Sequence, residues 1–345
     1  MKKACLVTPS VFQQNRIFDL SDKVLNRDNC LIPFSLLKDE FAARDYDFST
    51  QDINSINDSE CVIFLEMPKI LPAPDNVHKS HLLLFETDVI LPRNWVMNNH
   101  KAFNKVFTWN DSLIDNQKYF KINWTYVLPE IPDYQLETRT RFCSLISGNK
   151  SASHPLELYS ERVATIRWFE RHHPDLFDLY GIGWNEFNLP GRRFIEQNPI
   201  LKACSRLISR FAPQFPSYRG KVINKNETLR DYRFSICYEN ARDIPGYITE
   251  KIFDCLFAGC IPIYWGANNI ATHIPPDCFI DRRKFASHEE LFNHMHNFSD
   301  SEYRNCIEAT RRFLKSDAAR QFTAACFAKT VAEEALKAAF SEKPV

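Results

Sequence analysis

Two oppositely charged residues, Glu250 and Lys251, stand side by side at the start of a predicted helix. The run TEKIFDCLFAG spaces its apolar residues so that one face is buried, and Gly259 stands where a helix ending in a left-handed residue needs glycine. The N-terminus of such a helix carries unbonded N–H groups and a partial positive charge, which favour a phosphate. Lys251 adds a formal charge, and the carboxylate of Glu250 suits vicinal sugar hydroxyls. The pair indicates a sugar nucleotide, although a solvated surface explains the local pattern at least as well.

The elements that must position this helix are apolar runs that recur along the chain, separated in many places by helical patterns. Predicted strands are residues 4–9, 61–67, 81–87, 105–109, 123–129, 142–147, 177–181, 234–240 and 260–266. Predicted helices include residues 33–44, 156–172, 226–232 with Asn226 as N-cap, and 249–258. Strands that are apolar throughout and alternate with helices predict parallel sheets covered on both faces. The pattern restarts near residue 150, so we expect an α/β protein of two tandem units, with 185–222 as the least regular stretch.

The composition excludes several function classes. The chain has 345 residues with 43 basic and 43 acidic side chains, so its net charge gives no general reason to expect nucleic acid. No apolar run reaches the ~18 residues that a membrane-spanning helix needs. The 11 cysteines are scattered without a CxxC pair, which indicates reduced thiols in a cytoplasm rather than disulfides or a zinc site. With 8 glycines and no GxGxxG, a dinucleotide-dependent oxidoreductase is disfavoured.

Residues 232–285 carry a series of motifs in a fixed order, and together they resemble the α-1,3/4-fucosyltransferases, glycosyltransferase family 10. The motifs are a Tyr-x-Phe strand start, Glu-Asn, a Tyr-x-Thr-Glu-Lys block and Ala-Gly-x-Ile-Pro-Ile followed by Gly. They correspond to Tyr232 and Phe234; Glu239 and Asn240; Tyr247, Thr249, Glu250 and Lys251; and Ala258 through Gly266. The N-terminal half resembles the family only in outline, at HLLLFET and KVFTWNDS.

This resemblance implies a GT-B fold, in which two Rossmann-like domains have parallel sheets facing a central cleft. It implies GDP-fucose as the donor substrate, no required cofactor, and inversion at the anomeric carbon. It places Lys251 and Arg162 on the pyrophosphate, and Glu250, Tyr247 and Asn240 around the ribose and the sugar. From the residues alone, Arg162 could equally be a surface arginine on an amphipathic helix.

Inverting transfer needs a carboxylate that removes the proton of the acceptor hydroxyl. Glu86 is the candidate, because it ends the predicted strand HLLLFET and because the family carries its presumed base at the corresponding position. Asp88 and Glu66 are rivals, and any of the three could instead cap a loop or form an ion pair. The leaving diphosphate would be stabilised by Arg162, Lys251 and the helix N-terminus. We predict no metal site, and we interpret the DxD of Asp45 and Asp47 as a helix-to-strand turn.

The sequence therefore predicts a cytoplasmic, bacterial-type transferase that moves L-fucose from GDP-β-L-fucose to a GlcNAc- or Glc-containing glycan of a surface polysaccharide or lipopolysaccharide. The predicted domains are 1–140 for the acceptor, 141–315 for the GDP-sugar, and a helical tail at 316–345. Two alternatives stay open: another GDP-deoxysugar donor, and a non-catalytic sugar-nucleotide-binding module. The acceptor, the linkage, the oligomeric state and peripheral membrane contact also stay open, and no nucleic-acid partner is expected.

Overall fold

The computed structural model describes residues 1–129, 139–185, 198 and 215–337. The chain divides into two compact units. The first unit comprises Met1–Pro129, Ile244–Ile248 and Lys315–Val345, and the second comprises Glu130–Asp243 and Thr249–Leu314. The predicted irregular stretch at 185–222 lies largely outside the described residues. No described helix combines the length and the apolar character needed to cross a membrane.

Strands and helices of the described residues are numbered in chain order. The strands are β1 Lys2–Val7, β2 Tyr46–Thr50, β3 Cys61–Leu65, β4 Ser80–Leu84, β5 Lys105–Thr108, β6 Tyr119–Lys121, β7 Arg141–Ile146, β8 Phe177–Tyr180, β9 Tyr232–Tyr238, β10 Ile261–Trp265 and β11 Ile280–Asp281. The α-helices are α1 Ile32–Ala42, α2 Tyr159–His172, α3 Lys225–Leu229, α4 Glu250–Ala258, α5 His288–His296, α6 Asp300–Lys315, α7 Asp317–Arg320 and α8 Ala324–Leu336. Short 3₁₀ turns connect many of them.

The first unit is built on a six-stranded parallel sheet in the order β2-β1-β3-β4-β5-β6. Successive residues of its strands point to opposite faces, and both faces are buried. Ala4 and Leu6 lie in one cluster with α1 and α8, whereas Cys5 lies with Val62 and Phe64 in the cluster on the other face. This double burial explains why the strands are apolar throughout.

The second unit is built on a five-stranded parallel sheet in the order β11-β10-β9-β7-β8. One face packs on α2 and α5, where Ile166 and Phe292 lie in the same cluster as Phe234 of the central strand. The prediction of two parallel α/β units is therefore confirmed. The carboxyl ends of β7, β9 and β10 form one edge of this sheet, which is the edge where parallel sheets bind ligands.

Three local predictions meet different outcomes. The DxD is a helix-to-strand turn as predicted, since Asp45 has a left-handed φ of 64° and β2 begins at the next residue. The strand predicted at 123–129 is wrong: the strand there is β6, and Tyr126 makes only an isolated bridge to Thr323 from the C-terminal part of the chain. The N-cap of α3 is Asn224 rather than Asn226, because the Asn224 side chain accepts the N–H groups that open the helix.

Candidate functional site

Helix α4 begins and ends where the sequence predicts. Thr249 is its extended N-cap, and Gly259 ends it with a left-handed φ of 67°. Ile252, Phe253 and Leu256 are buried and fix the helix within the second unit. The Thr249 hydroxyl makes no cap hydrogen bond to the helix. It is turned instead towards the end of β9.

At the end of β9, Glu239 is fully buried with an exposed fraction of 0%. Its Oε1 accepts the Thr249 N–H at 2.8 Å, and its Oε2 accepts the Thr249 hydroxyl at 2.6 Å. Burial raises the pKa of the Glu239 carboxyl, while the ammonium of Lys251 opposes that rise. Sequence reasoning did not assign a role to Glu239. The signal available was a carboxylate directly after an apolar strand, ahead of a lysine at a helix start.

Lys251 lies between carboxylates. Its Nζ is 3.2 Å from Glu239 Oε2, 3.0 Å from Thr249 Oγ1 and 3.4 Å from Glu250 Oε1, and its side chain is 16% exposed. Burial lowers the pKa of an ammonium, but the charges of Glu250 and Glu239 outweigh burial, so the pKa of Lys251 is raised. Lys251 therefore keeps its positive charge at neutral pH, with part of its surface accessible.

Glu250 is the most exposed member of this group, with 39% of its side chain accessible. Burial opposes its ionisation, but the ammonium groups of Lys251 and Lys225 outweigh that effect and lower the pKa of Glu250 to about 2. Lys225 also pairs with Asp254 at 2.9 Å, and burial raises the pKa of Asp254 to about 7. Glu250 is therefore an ionised hydrogen-bond acceptor at neutral pH with an accessible surface, as a hydroxyl-binding group must be.

Arg162 on α2 is 3% exposed, so the alternative that it is a surface arginine is wrong. Its Nη2 donates to the carbonyls of Tyr238 and Glu239, each at 2.7 Å, and to Asn240 Oδ1 at 3.1 Å. Its guanidinium carbon lies 5.0 Å from the centre of the Tyr159 ring. The positive charge of Arg162 opposes, but does not cancel, the rise in the pKa of Lys251 that Glu250 and Glu239 cause.

The second unit thus collects four of the predicted site residues at one strand end. Arg162, Asn240, Glu250 and Lys251 surround Glu239, which no ligand can reach directly. The charges of Lys251 and Arg162 and the N-terminus of α4 can stabilise a diphosphate. The Glu250 carboxylate can accept hydrogen bonds from sugar hydroxyls, and the Asn240 amide can both accept and donate them.

Tyr247 is placed differently. The segment Ile244–Ile248 belongs to the first unit, and there the Tyr247 ring is 0% exposed and lies 4.7 Å from the ring of Trp109. Gly246 beside it has a φ of 81°, and a Cβ at that position would lie 2.2 Å from the Trp109 carbonyl oxygen. In this structure Tyr247 offers no surface to a ligand, so its role around the sugar stays a prediction.

Glu86 follows β4 at the edge of the first unit's sheet and is half-buried. Its N–H donates to Glu66 Oε1 at 3.0 Å, and its carbonyl accepts the Trp95 indole N–H at 3.0 Å and the Asn94 amide at 3.1 Å. The backbone that carries the predicted base is therefore held from both sides. Asp88 is half-buried as well, and its Oδ1 accepts the N–H of Val89 at 3.0 Å.

Glu66 has a different part in this arrangement. It adopts a left-handed φ of 67°, and its carboxylate accepts the N–H of Phe85 at 3.2 Å and the amide of Asn94 at 2.5 Å, in addition to the N–H of Glu86. Burial raises the pKa of Glu66 to about 8. Its acceptor capacity is committed to the loop after β4, so Glu66 supports the backbone of Glu86. The choice between Glu86 and Asp88 as base stays a prediction.

Known proteins resemble part of this chain in sequence. Residues 208–327 match the family model for the C-terminal region of glycosyltransferase family 10 (fucosyltransferase). An α-(1,3)-fucosyltransferase of Helicobacter pylori is 38% identical over 91 residues, which are 24% of this chain and 19% of that protein. An α-(1,4)-fucosyltransferase of Arabidopsis thaliana is 39% identical over 72 residues, which are 21% of this chain and 18% of that protein. The matched stretch thus spans about a fifth of each relative's length.

Solved structures resemble the chain over nearly its whole length. A crystal structure of an α1,3-fucosyltransferase with GDP has a TM-score of 0.53 and 16% identity, with 96% of this chain and 91% of that chain covered. The T4 phage enzyme BGT in complex with UDP and Mn²⁺ has a TM-score of 0.52 and 12% identity, with 98% and 100% covered. At these identities the likeness concerns the fold, and it identifies the two parallel α/β units as a GT-B fold. Residues 208–327, which include Asn240, Glu250 and Lys251, are therefore the part of the chain that resembles glycosyltransferase family 10.

Proposed function

We propose that this chain is an inverting glycosyltransferase that transfers L-fucose from GDP-β-L-fucose to a hydroxyl of a GlcNAc- or Glc-containing glycan, in the synthesis of a cytoplasmically assembled surface polysaccharide or lipopolysaccharide. The observation that carries the proposal is the group of Arg162 and Lys251 at the N-terminus of α4, with Glu250 ionised beside them. The match of residues 208–327 to the family 10 (fucosyltransferase) model supports fucose as the transferred sugar. The donor, the stereochemistry and the acceptor are parts of the proposal.

In this mechanism the diphosphate of the donor binds Lys251, Arg162 and the first-turn N–H groups of α4. As the bond between C1 and the diphosphate oxygen breaks, its electron pair passes to GDP, and these cations stabilise the growing negative charge. The acceptor oxygen forms the new bond to C1 from the opposite face, and its proton passes to the Glu86 carboxylate. Glu250 and Asn240 hold sugar hydroxyls and so orient C1 for attack.

Nucleotide binding tests the donor class before any acceptor is known. Calorimetry of the intact chain with GDP, UDP, CMP and NAD should show binding of GDP in preference to the others. Lys251→Ala should weaken GDP affinity by about 1.5 kcal/mol or more, because a charge-assisted contact to phosphate is lost. Lys284→Ala, which removes an exposed lysine of the same unit, is the control and should leave the affinity unchanged. Equal affinities for the wild type and Lys251→Ala would contradict the proposed diphosphate site.

Turnover separates a transferase from a binding module. Glu86→Gln should abolish release of GDP from GDP-fucose in the presence of an acceptor and leave GDP affinity unchanged, since the amide cannot accept the proton. Asp88→Asn is the matched comparison and should retain activity. Loss of turnover in Asp88→Asn alone would move the base to Asp88. A donor panel of GDP-fucose and other GDP-deoxysugars identifies the transferred sugar, and wild-type protein that binds GDP but turns over none of them would be a binding module.

A further inference from the structure

Glu239 is a carboxylate with no contact to solvent, and the donors that surround it all come from the start of α4. Its Oε1 accepts the Thr249 N–H, and its Oε2 accepts both the Thr249 hydroxyl at 2.6 Å and the Lys251 ammonium at 3.2 Å. Its own N–H donates to the carbonyl of Trp265 at 2.8 Å, which joins the backbone of Glu239 to the neighbouring strand β10. The carboxylate is therefore fixed to the sheet, and the helix start is fixed to the carboxylate.

We propose that Glu239 is a positioning residue for the donor: it holds the Lys251 ammonium and the N-terminus of α4 in the arrangement that receives the diphosphate. The inference rests on the proposed function, because it concerns the same pocket. Glu239 itself touches no ligand. Its effect passes through Lys251, whose side chain is 16% exposed where that of Glu239 is 0% exposed.

The Glu239 side chain lies against Gly266, and it fits there because Gly266 has no side chain. A Cβ on Gly266 would lie 2.4 Å from Glu239 Cγ and 2.4 Å from the Tyr264 hydroxyl oxygen. Real Cβ atoms do not approach other atoms so closely, so any larger residue at 266 would displace Glu239 or the strand end. The absence of a side chain at Gly266 thus leaves the space that the Glu239 side chain occupies next to Lys251.

The two carboxylates next to Lys251 differ in whether a ligand can replace their contact with the ammonium. Glu250 is 39% exposed and its Oε1 is 3.4 Å from Nζ, so an arriving diphosphate can replace this contact. The contact to Glu239 is buried and stays in place. Because Lys251 is already ordered by Glu239, less conformational entropy is lost when it binds the ligand. Glu239 thereby increases affinity without a contact of its own.

A double-mutant cycle measured by calorimetry with GDP tests this role. Glu239→Gln keeps the size of the side chain and the acceptor for the Thr249 N–H, but it removes the charge that holds Lys251. We expect it to weaken GDP binding about tenfold, which is about 1.4 kcal/mol. In the Lys251→Ala background the same change should weaken binding less than about twofold, since the two residues act as one unit. Additive losses in the double variant would overturn the proposal.

A second variant reaches Glu239 from the other side. Gly266→Ala should reproduce the loss of GDP affinity and should likewise add little to Lys251→Ala. Gly148→Ala, in the same unit, is the matched control, because a Cβ there meets its nearest atom at 3.8 Å. Thermal unfolding monitors the fold of every variant. If Glu239→Gln and Gly266→Ala both fail to fold, Glu239 is a structural residue and the proposal is wrong.

Failure of the positioning role of Glu239 can be distinguished from failure of the proposed function. Wild-type protein that prefers UDP or another nucleotide would remove the GDP assignment, and the same cycle can then be measured with that nucleotide. Wild-type protein that binds GDP while Glu239 and Lys251 act independently would leave the proposed function intact and remove only the role of Glu239.

Discussion

At the scale of single residues, two buried charges of the second unit, Glu239 and Arg162, are compensated by groups that other elements supply. Glu239 meets Lys251 across the loop between β9 and α4, and Arg162 meets the carbonyls at the end of β9, 76 and 77 positions along the chain. A buried charge without such partners costs several kcal/mol, so each of these pairs constrains where its strand and helix can lie.

His81 shows the other way in which a buried titratable group is accommodated: it stays neutral instead of being paired with an opposite charge. It is 2% exposed within β4, and burial, together with the charges of Lys105 and Lys118, lowers its pKa to about 3. The neutral imidazole is therefore the form that the folded state accepts. Since the folded pKa lies below the unfolded value of ~6.5, this contribution to stability is complete above pH 6.5 and is lost as the pH falls towards 3.

His81→Phe should flatten that dependence while it keeps an aromatic ring in the core. Chemical denaturation between pH 7 and pH 4 should show that the wild type loses stability with a slope of up to about 1.4 kcal/mol per pH unit more than the variant. The exposed His78→Phe serves as control and should follow the wild-type slope. Parallel curves for the wild type and His81→Phe would show that burial of this imidazole does not govern acid sensitivity.

At the scale of elements, α8 completes a core that begins almost three hundred residues earlier. Phe327 packs its ring against Phe34 of α1 at 6.1 Å and against Phe85 after β4 at 5.9 Å. Small residues on the same face, such as Ala328 and Ala332, are buried and allow α8 to lie close to α1. The helix that the sequence analysis set apart as a tail thus forms part of the first unit.

Phe327→Ala should lower the free energy of unfolding by about 3–5 kcal/mol, because it removes a buried ring and leaves a cavity. Urea denaturation followed by circular dichroism measures the change. Lys329→Ala on the exposed face of α8 is the control, and its effect should stay within about 0.5 kcal/mol. A loss for Phe327→Ala as small as the control's would mean that α8 contributes little to the core.

At the scale of the whole molecule, the chain contributes to the first unit in three separate stretches. Residues Met1–Pro129 form its sheet, Ile244–Ile248 enter from the middle of the second unit's sequence, and Lys315–Val345 return at the end. Buried residues from the first and last stretches share one cluster, among them Leu6, Ile63 and Val331. The stability of the first unit therefore depends on residues at both ends of the chain.

A chain that ends at residue 314 tests this dependence. Without α7 and α8 the apolar face formed by Leu6 and Ile63 is uncovered, so hydrogen exchange should show lost protection in β1, β3 and β4, with increased binding of a hydrophobic dye. A chain that ends at Lys337 retains α8 and should exchange like the full chain. Unchanged protection in the shorter chain would show that the first unit folds without its C-terminal helices.

The sequence by itself determined the parallel α/β class, most of the strands and the limits of α4, because these depend on local patterns. Strands buried on both faces are apolar throughout, and the left-handed residue at the end of α4 requires glycine. Local pattern also explains the error at 123–129: the run is apolar in sequence, yet Val127 is 54% exposed, and Tyr126 makes only an isolated bridge to Thr323, far along the chain.

The tertiary structure decided which charged side chains meet. The sequence singled out Glu250 and Lys251 from their place at a helix start, yet the buried partner Glu239 became apparent only when β9 and α4 were packed together. In the same way, Tyr247 stands in the motif with Thr249, but its ring is buried on Trp109. Periodicity records the face on which a residue lies, whereas the partner that a side chain meets depends on the path of the chain between them.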